Sequence, residues 1–172
     1  MILSEKWLPV LGWEGFYEVS DMGRVRSIER VVECSNGRKQ PVKAKVLVGG
    51  RRAKNPYRFV ALSSPGRERE QKNVSALVLE AFVGPRPAGQ LARHLNDVKD
   101  DDRLENLAWG TVSENAYDRV NNGSDHNARK THCANGHFYD KKNTYIKVDS
   151  LGRTSRSCAE CARDRYRRSR AG

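Results

Sequence analysis

A histidine, two asparagines and an aspartate stand at spacings that could do proton and metal chemistry. His94 lies twelve residues before Asn106, Asn106 nine before Asn115, and Asp118 three beyond that. An imidazole can take or give a proton near neutral pH. Amide and carboxylate oxygens suit hard cations. A lone histidine is usually an ordinary polar or packing residue; the company of His94 sets it apart. A second constellation lies near the end of the chain. Cys133 and His137 form a C-x3-H knuckle, and Cys158 and Cys161 form a C-x2-C knuckle. Three thiolates and one imidazole make a closed tetrahedral set suited to structural zinc. Unrelated thiols in a basic tail are the plain alternative, and the spacing argues against it. His132 adjoins Cys133 and competes as a ligand, but knuckle geometry favours His137. Cys34 is far from both knuckles and is expected to be a free thiol; His126 has no clear partner.

The elements around the first constellation can be read directly. Gln90–His94 is a short strand candidate, Asp97–Arg103 a polar loop, and Leu104–Trp109 a second strand. Thr111-Val112-Ser113-Glu114 fits a capping box. A helix is predicted from Val112 to about Asn122, with Gly123 as its stop. Asn115 and Asp118 then share one helical face. This sets an imidazole on a strand and oxygen ligands on a facing helix.

Before it, residues 1–89 read as a β-rich module. Phe16–Ser20 and Arg24–Ile28 are strand candidates around the turn Asp21-Met22-Gly23. Asn36-Gly37 is a hairpin signal, and 42–48 and 57–62 are further strands. Val74, Leu77, Val78, Ala81 and Phe82 then mark one face of a helix, stopped by Gly84-Pro85. Pro85-Arg86-Pro87 looks like a linker. Behind the middle segment, 124–172 ends in five arginines, Arg163, Arg165, Arg167, Arg168 and Arg170, on a helix leaving the second knuckle. Such a run is often only a solvated face. Beside the middle segment it reads better as an arm that tracks phosphates.

The totals agree with small modules and a polyanionic partner. Of 172 residues, 37% are hydrophobic and 31% charged, which favours several small cores over one large one. Lys and Arg number 32 against 21 acids, a net charge of +11. Each phosphate neutralised by a cation releases counterions, so a polyanionic partner is expected; charge alone does not separate nucleic acid from anionic lipid. No apolar run approaches a bilayer span. The N-terminus lacks a signal peptide's basic start and apolar block. A soluble, intracellular, cytoplasmic protein is expected. In that reducing compartment cysteines serve as metal ligands or free thiols rather than disulfides.

The stretch from Arg93 to Asn115, with the pattern H…ENL.WGT..EN, resembles the HNH endonucleases of the phage-type homing and free-standing group. The stretch Trp7…Gly12-Trp13-Glu14-Gly15-Phe16-Tyr17 through Ser27 resembles the modular nuclease-associated domain that often precedes such motifs. Ala81-Phe82-Val83-Gly84-Pro85 matches the helix end that leads into them. The resemblance covers about residues 5–123. It implies a ββα-metal site in which His94 is the general base. Asn115 would be a ligand of one divalent cation, Mg²⁺ or Mn²⁺, and Asn106 would pin the loop and orient His94. It implies 5′-phosphate and 3′-hydroxyl ends.

One residue departs from the pattern. Many members carry Asp or His as a second metal ligand just before the catalytic histidine, where this chain has Arg93. Asp118 then supplies the missing ligand, or metal binding waits for DNA phosphate. Arg93 would act as a phosphate clamp. The expected protein is α+β in three modules: 1–89, a DNA-binding module with Arg24 and Arg26 on its returning strand; 90–123, the nuclease motif; and 124–172, a zinc-stapled basic tail. Its expected activity is cleavage of double-stranded DNA, with RNA left open. The rival is a DNA-binding protein on a decayed scaffold, and Arg93 is the feature in its favour.

Overall fold

A computed structural model describes residues 4–33, 36–53, 55–150, 152 and 154–170. Cys34 lies outside the described residues. The chain divides into two units, Met1–Asn122 and Gly123–Gly172.

The first unit opens with β1 (Trp7–Pro9), β2 (Tyr17–Ser20) and β3 (Val25–Ser27), followed by β4 (Arg30–Glu33), β5 (Lys39–Val42) and β6 (Lys45–Val46). Strands β1, β2, β3 and β6 form one antiparallel sheet in that order, and β4 and β5 form a separate hairpin. Gly23, at φ 73°, makes the turn between β2 and β3. Next come β7 (Gly50–Arg52), β8 (Asn55–Ser64) and β9 (Arg67–Asn73), a three-stranded meander. The Tyr17 hydroxyl ties the two sheets together, donating to the Ser63 carbonyl at 2.8 Å and accepting from the Ser63 N–H at 3.1 Å. Helix α1 (Val74–Phe82) begins where β9 ends and buries Val74, Leu77, Val78 and Leu79. Its apolar period puts those side chains on the sheets.

The predicted helix 74–82 agrees with α1, and the turn at 21–23 with the β2–β3 corner. The single strand expected over 42–48 is instead the end of β5 and the short β6, because the chain changes partner between them.

After a turn closed by Gln90 N–H on the Pro87 carbonyl, β10 (Leu91–His94) pairs antiparallel with β11 (Leu107–Gly110). A 3₁₀ turn at Leu104–Asn106 leads into β11. Helix α2 (Val112–Asn121) follows with the expected capping box: the Glu114 N–H donates to Thr111 Oγ1 and the Thr111 N–H to Glu114 Oε2.

Composition points to several small cores. In the first unit, however, a single apolar cluster runs from Val10, Trp13 and Val19 through Leu62 and Leu77 to Leu107, with Ala92 and Trp109 packed against it. Trp109 also donates its indole N–H to the Gly84 carbonyl at 3.1 Å. The ββα stretch is therefore seated on α1.

The second unit contains β12 (Thr144–Val148), β13 (Thr154–Cys158) and α3 (Ala159–Arg170). The two strands pair antiparallel, and α3 follows β13 directly. Among its described residues only Asn143 and Cys158 are buried. Among the described residues of the whole chain, no helix is long and apolar enough to cross a membrane.

Candidate nuclease site and metal centre

His94 ends β10, opposite Leu107 on β11, and is fully buried at 1% exposure. Its Nε2 lies 3.0 Å from Asp102 Oδ1, and Asp102 is buried too. Its Nδ1 is buried and has no hydrogen-bond partner among the described residues. The Tyr57 ring, from β8, stacks on the imidazole with centroids 5.5 Å apart. Arg58 Nε approaches Asp102 Oδ2 at 3.3 Å. That contact is an ion pair rather than an aligned hydrogen bond, since neither atom meets hydrogen-bond geometry. A terminal nitrogen of the same guanidinium donates to the Gly23 carbonyl. Gly23 has to be glycine here: a Cβ would lie 2.7 Å from Asp102 Cβ and from its carbonyl oxygen. The Leu104 N–H donates to the Asp21 carbonyl at 2.8 Å, which further ties this loop to the β2–β3 turn.

Asn106 holds the loop between the strands from both ends of its amide. Oδ1 accepts from the Asn96 N–H at 3.0 Å, and Nδ2 donates to the Asp101 carbonyl at 2.8 Å. Asp97 takes the left-handed conformation at φ 59°, and its N–H bonds back to the His94 carbonyl. Asp101 closes the loop. It accepts both Nε and Nη2 of Arg103, at 2.7 and 2.8 Å, and Asn96 Nδ2 at 2.8 Å. The Arg103 hydrogen bonds hold its carboxyl at about 2, against a smaller opposing effect of burial.

On α2, Asn115 is half-buried and lines a cleft of about 330 Å³ with Tyr57, Leu91, Ala92 and Trp109. Glu80 and Arg86 face the same cleft. Asp118 does not stand free: Arg93 Nη1 is 2.7 Å from its Oδ2, in a half-buried pair. Gly110 makes room for that guanidinium, because a Cβ there would overlap the Arg93 side chain. Asn122 Nδ2 donates to the Leu95 carbonyl at 2.7 Å, so the end of α2 is fastened to the end of β10. Arg24 and Arg26 are both engaged by carboxylates, Arg24 by Glu5 and Arg26 by Glu18, and both lie over the Trp7 ring.

In the second unit, one ligand atom each from Cys133, His137, Cys158 and Cys161 lies within 4.8 Å of all the others. The sulfurs of Cys133 and Cys161 are 3.6 Å apart, and His137 Nδ1 is 3.3–3.6 Å from all three sulfurs. Tetrahedral zinc with ordinary bond lengths would set S···S near ~3.7 Å and N···S near ~3.6 Å. These residues fit the ion. Burial pushes the Cys158 thiol up, but the Cys161 N–H and the Asn143, Cys161 and His137 side chains outweigh it and bring it down to about 6. Burial and the neighbouring Cys133 push Cys161 up to about 11. Three crowded thiols cannot all ionise unaided; a divalent cation removes that conflict. His132 is outside the set, with its ring edge-on to Phe138 and Nδ1 at the Thr131 hydroxyl. Asn143 binds the cluster together, donating to the Phe138 carbonyl and accepting from the Glu160 N–H and Cys158 Sγ.

Sequence reasoning misses Asp102, Tyr57 and Arg58. In the sequence Asp102 is one of three consecutive loop acids, and nothing local marks it as a partner of His94. Tyr57 and Arg58 come from a strand far away in sequence.

Comparisons with known proteins identify the motifs in this chain. Residues 5–63 match the family model of the NUMOD4 motif, and residues 72–117 match that of an HNH endonuclease. An uncharacterised HNH endonuclease of Acanthamoeba polyphaga mimivirus is 32% identical over 125 residues, 69% of this chain. The chain spans about a quarter of that relative's length, 27%. Among solved structures, the HNH homing endonuclease I-HmuI, from work on DNA binding and cleavage, matches 93% of this chain and 82% of its own. That match has a TM-score of 0.54 at 21% identity, a likeness of fold. With both motifs matched in order, and a ββα stretch whose first strand ends on His94, the chain carries an N-terminal NUMOD4 motif followed by an HNH endonuclease motif.

Proposed function

We propose that the chain is a metal-dependent endonuclease of double-stranded DNA in which His94 is the general base. The observation that carries this reading is the ββα arrangement within the matched stretch. Strand β10 ends on His94, β11 returns beside it, and α2 is fastened to β10 through Arg93–Asp118 and Asn122–Leu95. His94 takes a proton from the attacking water as that oxygen bonds to phosphorus. The P–O3′ bond breaks, and the leaving oxygen takes a proton from solvent. The products are 5′-phosphate and 3′-hydroxyl ends. Since Nδ1 is buried, water reaches it only when the cover over the ring shifts. Asn106 keeps the loop, and with it the strand end, in register. Arg93, held by Asp118, offers a guanidinium to the scissile phosphate. The amide and carboxylate oxygens of Asn115 and Asp118 fit a hard cation, and they would hold Mg²⁺ or Mn²⁺. When bound, that ion supplies charge neutralisation at the phosphate and the leaving oxygen. Zinc in the Cys133, His137, Cys158 and Cys161 set is structural.

The second reading is a DNA-binding protein that does not cut. The Arg93–Asp118 pair favours it, since a cation of the protein's own already sits at Asp118. Supercoiled plasmid decides between the two. Nicking or linearisation is expected with Mg²⁺ or Mn²⁺, and His94→Ala should slow it by about 10²–10⁴ while metal-free DNA affinity holds. A wild-type protein that leaves plasmid intact at every metal concentration, yet binds it, supports the second reading.

A further inference from the structure

The base in this site depends on a carboxylate and an arginine that neither motif match assigns. An imidazole serves as a base only through an unprotonated nitrogen, and the hydrogen bond made by the other nitrogen selects which one that is. Here Nε2 faces Asp102 Oδ1 at 3.0 Å, both groups being buried. A carboxylate can only accept, so it requires a proton on Nε2. The lone pair is then left on Nδ1, the nitrogen with no partner among the described residues. A buried carboxylate with a single neutral donor would be costly. Arg58 supplies the opposite charge at Oδ2, 3.3 Å away, and is itself anchored on the Gly23 carbonyl. Gly23 leaves the space that lets the Asp102 backbone lie against the β2–β3 turn.

We propose that Asp102 is the positioning residue of His94, fixing the Nε2–H tautomer so that Nδ1 is the base, and that Arg58, from the N-terminal module, holds Asp102 in place. This rests on the reading of His94 as general base. It makes the N-terminal module part of the active site as well as a DNA-binding element: β8 delivers Arg58 to the carboxylate and Tyr57 to the ring face. The arrangement has the logic of a base oriented by a third group.

Two measurements on the full-length, zinc-loaded protein test it. The first is a long-range ¹H–¹⁵N correlation of the histidine rings at neutral pH, with His94 identified by sequential assignment. A protonated Nε2 and a bare Nδ1 are expected. A proton on Nδ1, or on both nitrogens, overturns the proposal whether or not the protein cuts DNA. The second measures single-turnover cleavage, with enzyme in saturating excess over plasmid, alongside metal-free DNA affinity. Asp102→Asn is expected to lose about 10²–10⁴ in rate, the range of a general base, with affinity within about threefold of wild type. Its amide can donate to Nε2, so the ring should shift toward the Nδ1–H form. Arg58→Gln, at a half-exposed position, serves where Asp102→Asn does not fold. It should slow cleavage by about tenfold and mix the tautomers. Wild-type rates together with wild-type ring signals in a folded variant overturn the proposal. A wild type that cuts nothing overturns the nuclease reading alone, because the ring signals still decide the role of Asp102.

Discussion

Arg93 occupies the position beside His94 where a metal-binding side chain is expected, and its surroundings indicate what it does there. Its guanidinium neutralises Asp118 at 2.7 Å and needs the bare Cα of Gly110 to fit. A cation arriving at Asp118 meets a like charge a few ångströms away. Removing Arg93 should therefore tighten metal binding and loosen DNA binding together. For Arg93→Ala, the Mn²⁺ midpoint of cleavage is expected to fall by roughly fivefold, which corresponds to relief of about 1 kcal/mol of repulsion near the surface. DNA affinity without metal should fall, because the variant has one cation fewer to pair with phosphate. Gly110→Ala should shift both in the same directions by displacing the guanidinium without removing it. A Mn²⁺ titration of cleavage for wild type and both variants measures these shifts. A midpoint that does not move in either variant removes Asp118 from the metal site.

At the scale of elements, the loop between β10 and β11 is held by a set of polar side chains, Asp101 among them. Asp101 joins Arg103, Asn96 and, through its carbonyl, Asn106. Its folded-state pKa of about 2 lies below the ordinary carboxylate value of 3.8, first because of Arg103. A depressed carboxylate contributes stability that is fully present above its unfolded value and is lost as pH falls through the folded one. Asp101→Asn should thus melt below wild type at pH 7, and the difference should shrink from about pH 4 and disappear only below about pH 2. Thermal melts across that range test it; a difference independent of pH would mean the carboxylate charge is not the cause. This loop also marks the limit of what the sequence discloses. Helices α1 and α2 are legible because a 3.6-residue apolar period and a capping box are local signals. Strand β9, Arg-Glu-Arg-Glu-Gln-Lys-Asn, is not: its side chains are mostly exposed, so its strand state comes from pairing with β8 and leaves no apolar alternation. In the β12–β13 hairpin the same holds for β13, Thr-Ser-Arg-Ser-Cys, whereas β12 does carry strand formers in Tyr145, Ile146 and Val148. In the site, His94, Asn106 and Asn115 stand out by spacing. Asp102 does not, because its meaning depends on a strand more than forty residues away in sequence.

The two units of the molecule are stabilised by different physics, and this separates how they should fail. The first unit has an apolar core from Val10 to Leu107, whereas the described residues of the second bury only Asn143 and Cys158. A segment with so little core is expected to need a metal in the Cys133, His137, Cys158 and Cys161 set for folding. A strong chelator, or Cys158→Ser, should make residues 123–172 protease-sensitive while the first unit's melting is unchanged; a tail that stays resistant without bound metal would show that it needs none. With the tail folded, α3 presents Arg163, Arg165, Arg167, Arg168 and Arg170 on a helix with no buried residue. One acid, Asp164, approaches this group, at 3.8 Å from Arg167, and Arg170 lies over the Tyr166 ring. Exposed ion pairs are weak, so the helix keeps nearly its full positive charge for a partner. Truncation after Ala162 leaves all four zinc ligands in place and removes that charge. If the arginines track phosphates, each arginine–phosphate pair removed should reduce the slope of log affinity against log salt by about 0.9 on duplex DNA, or by about 4.5 if all five engage. Affinity should fall most at low salt and converge with wild type as salt rises. Binding isotherms on one duplex at four or five salt concentrations measure this. Parallel lines for the two proteins would assign the weaker binding to something other than phosphate pairing and leave the arginines as a solvated face.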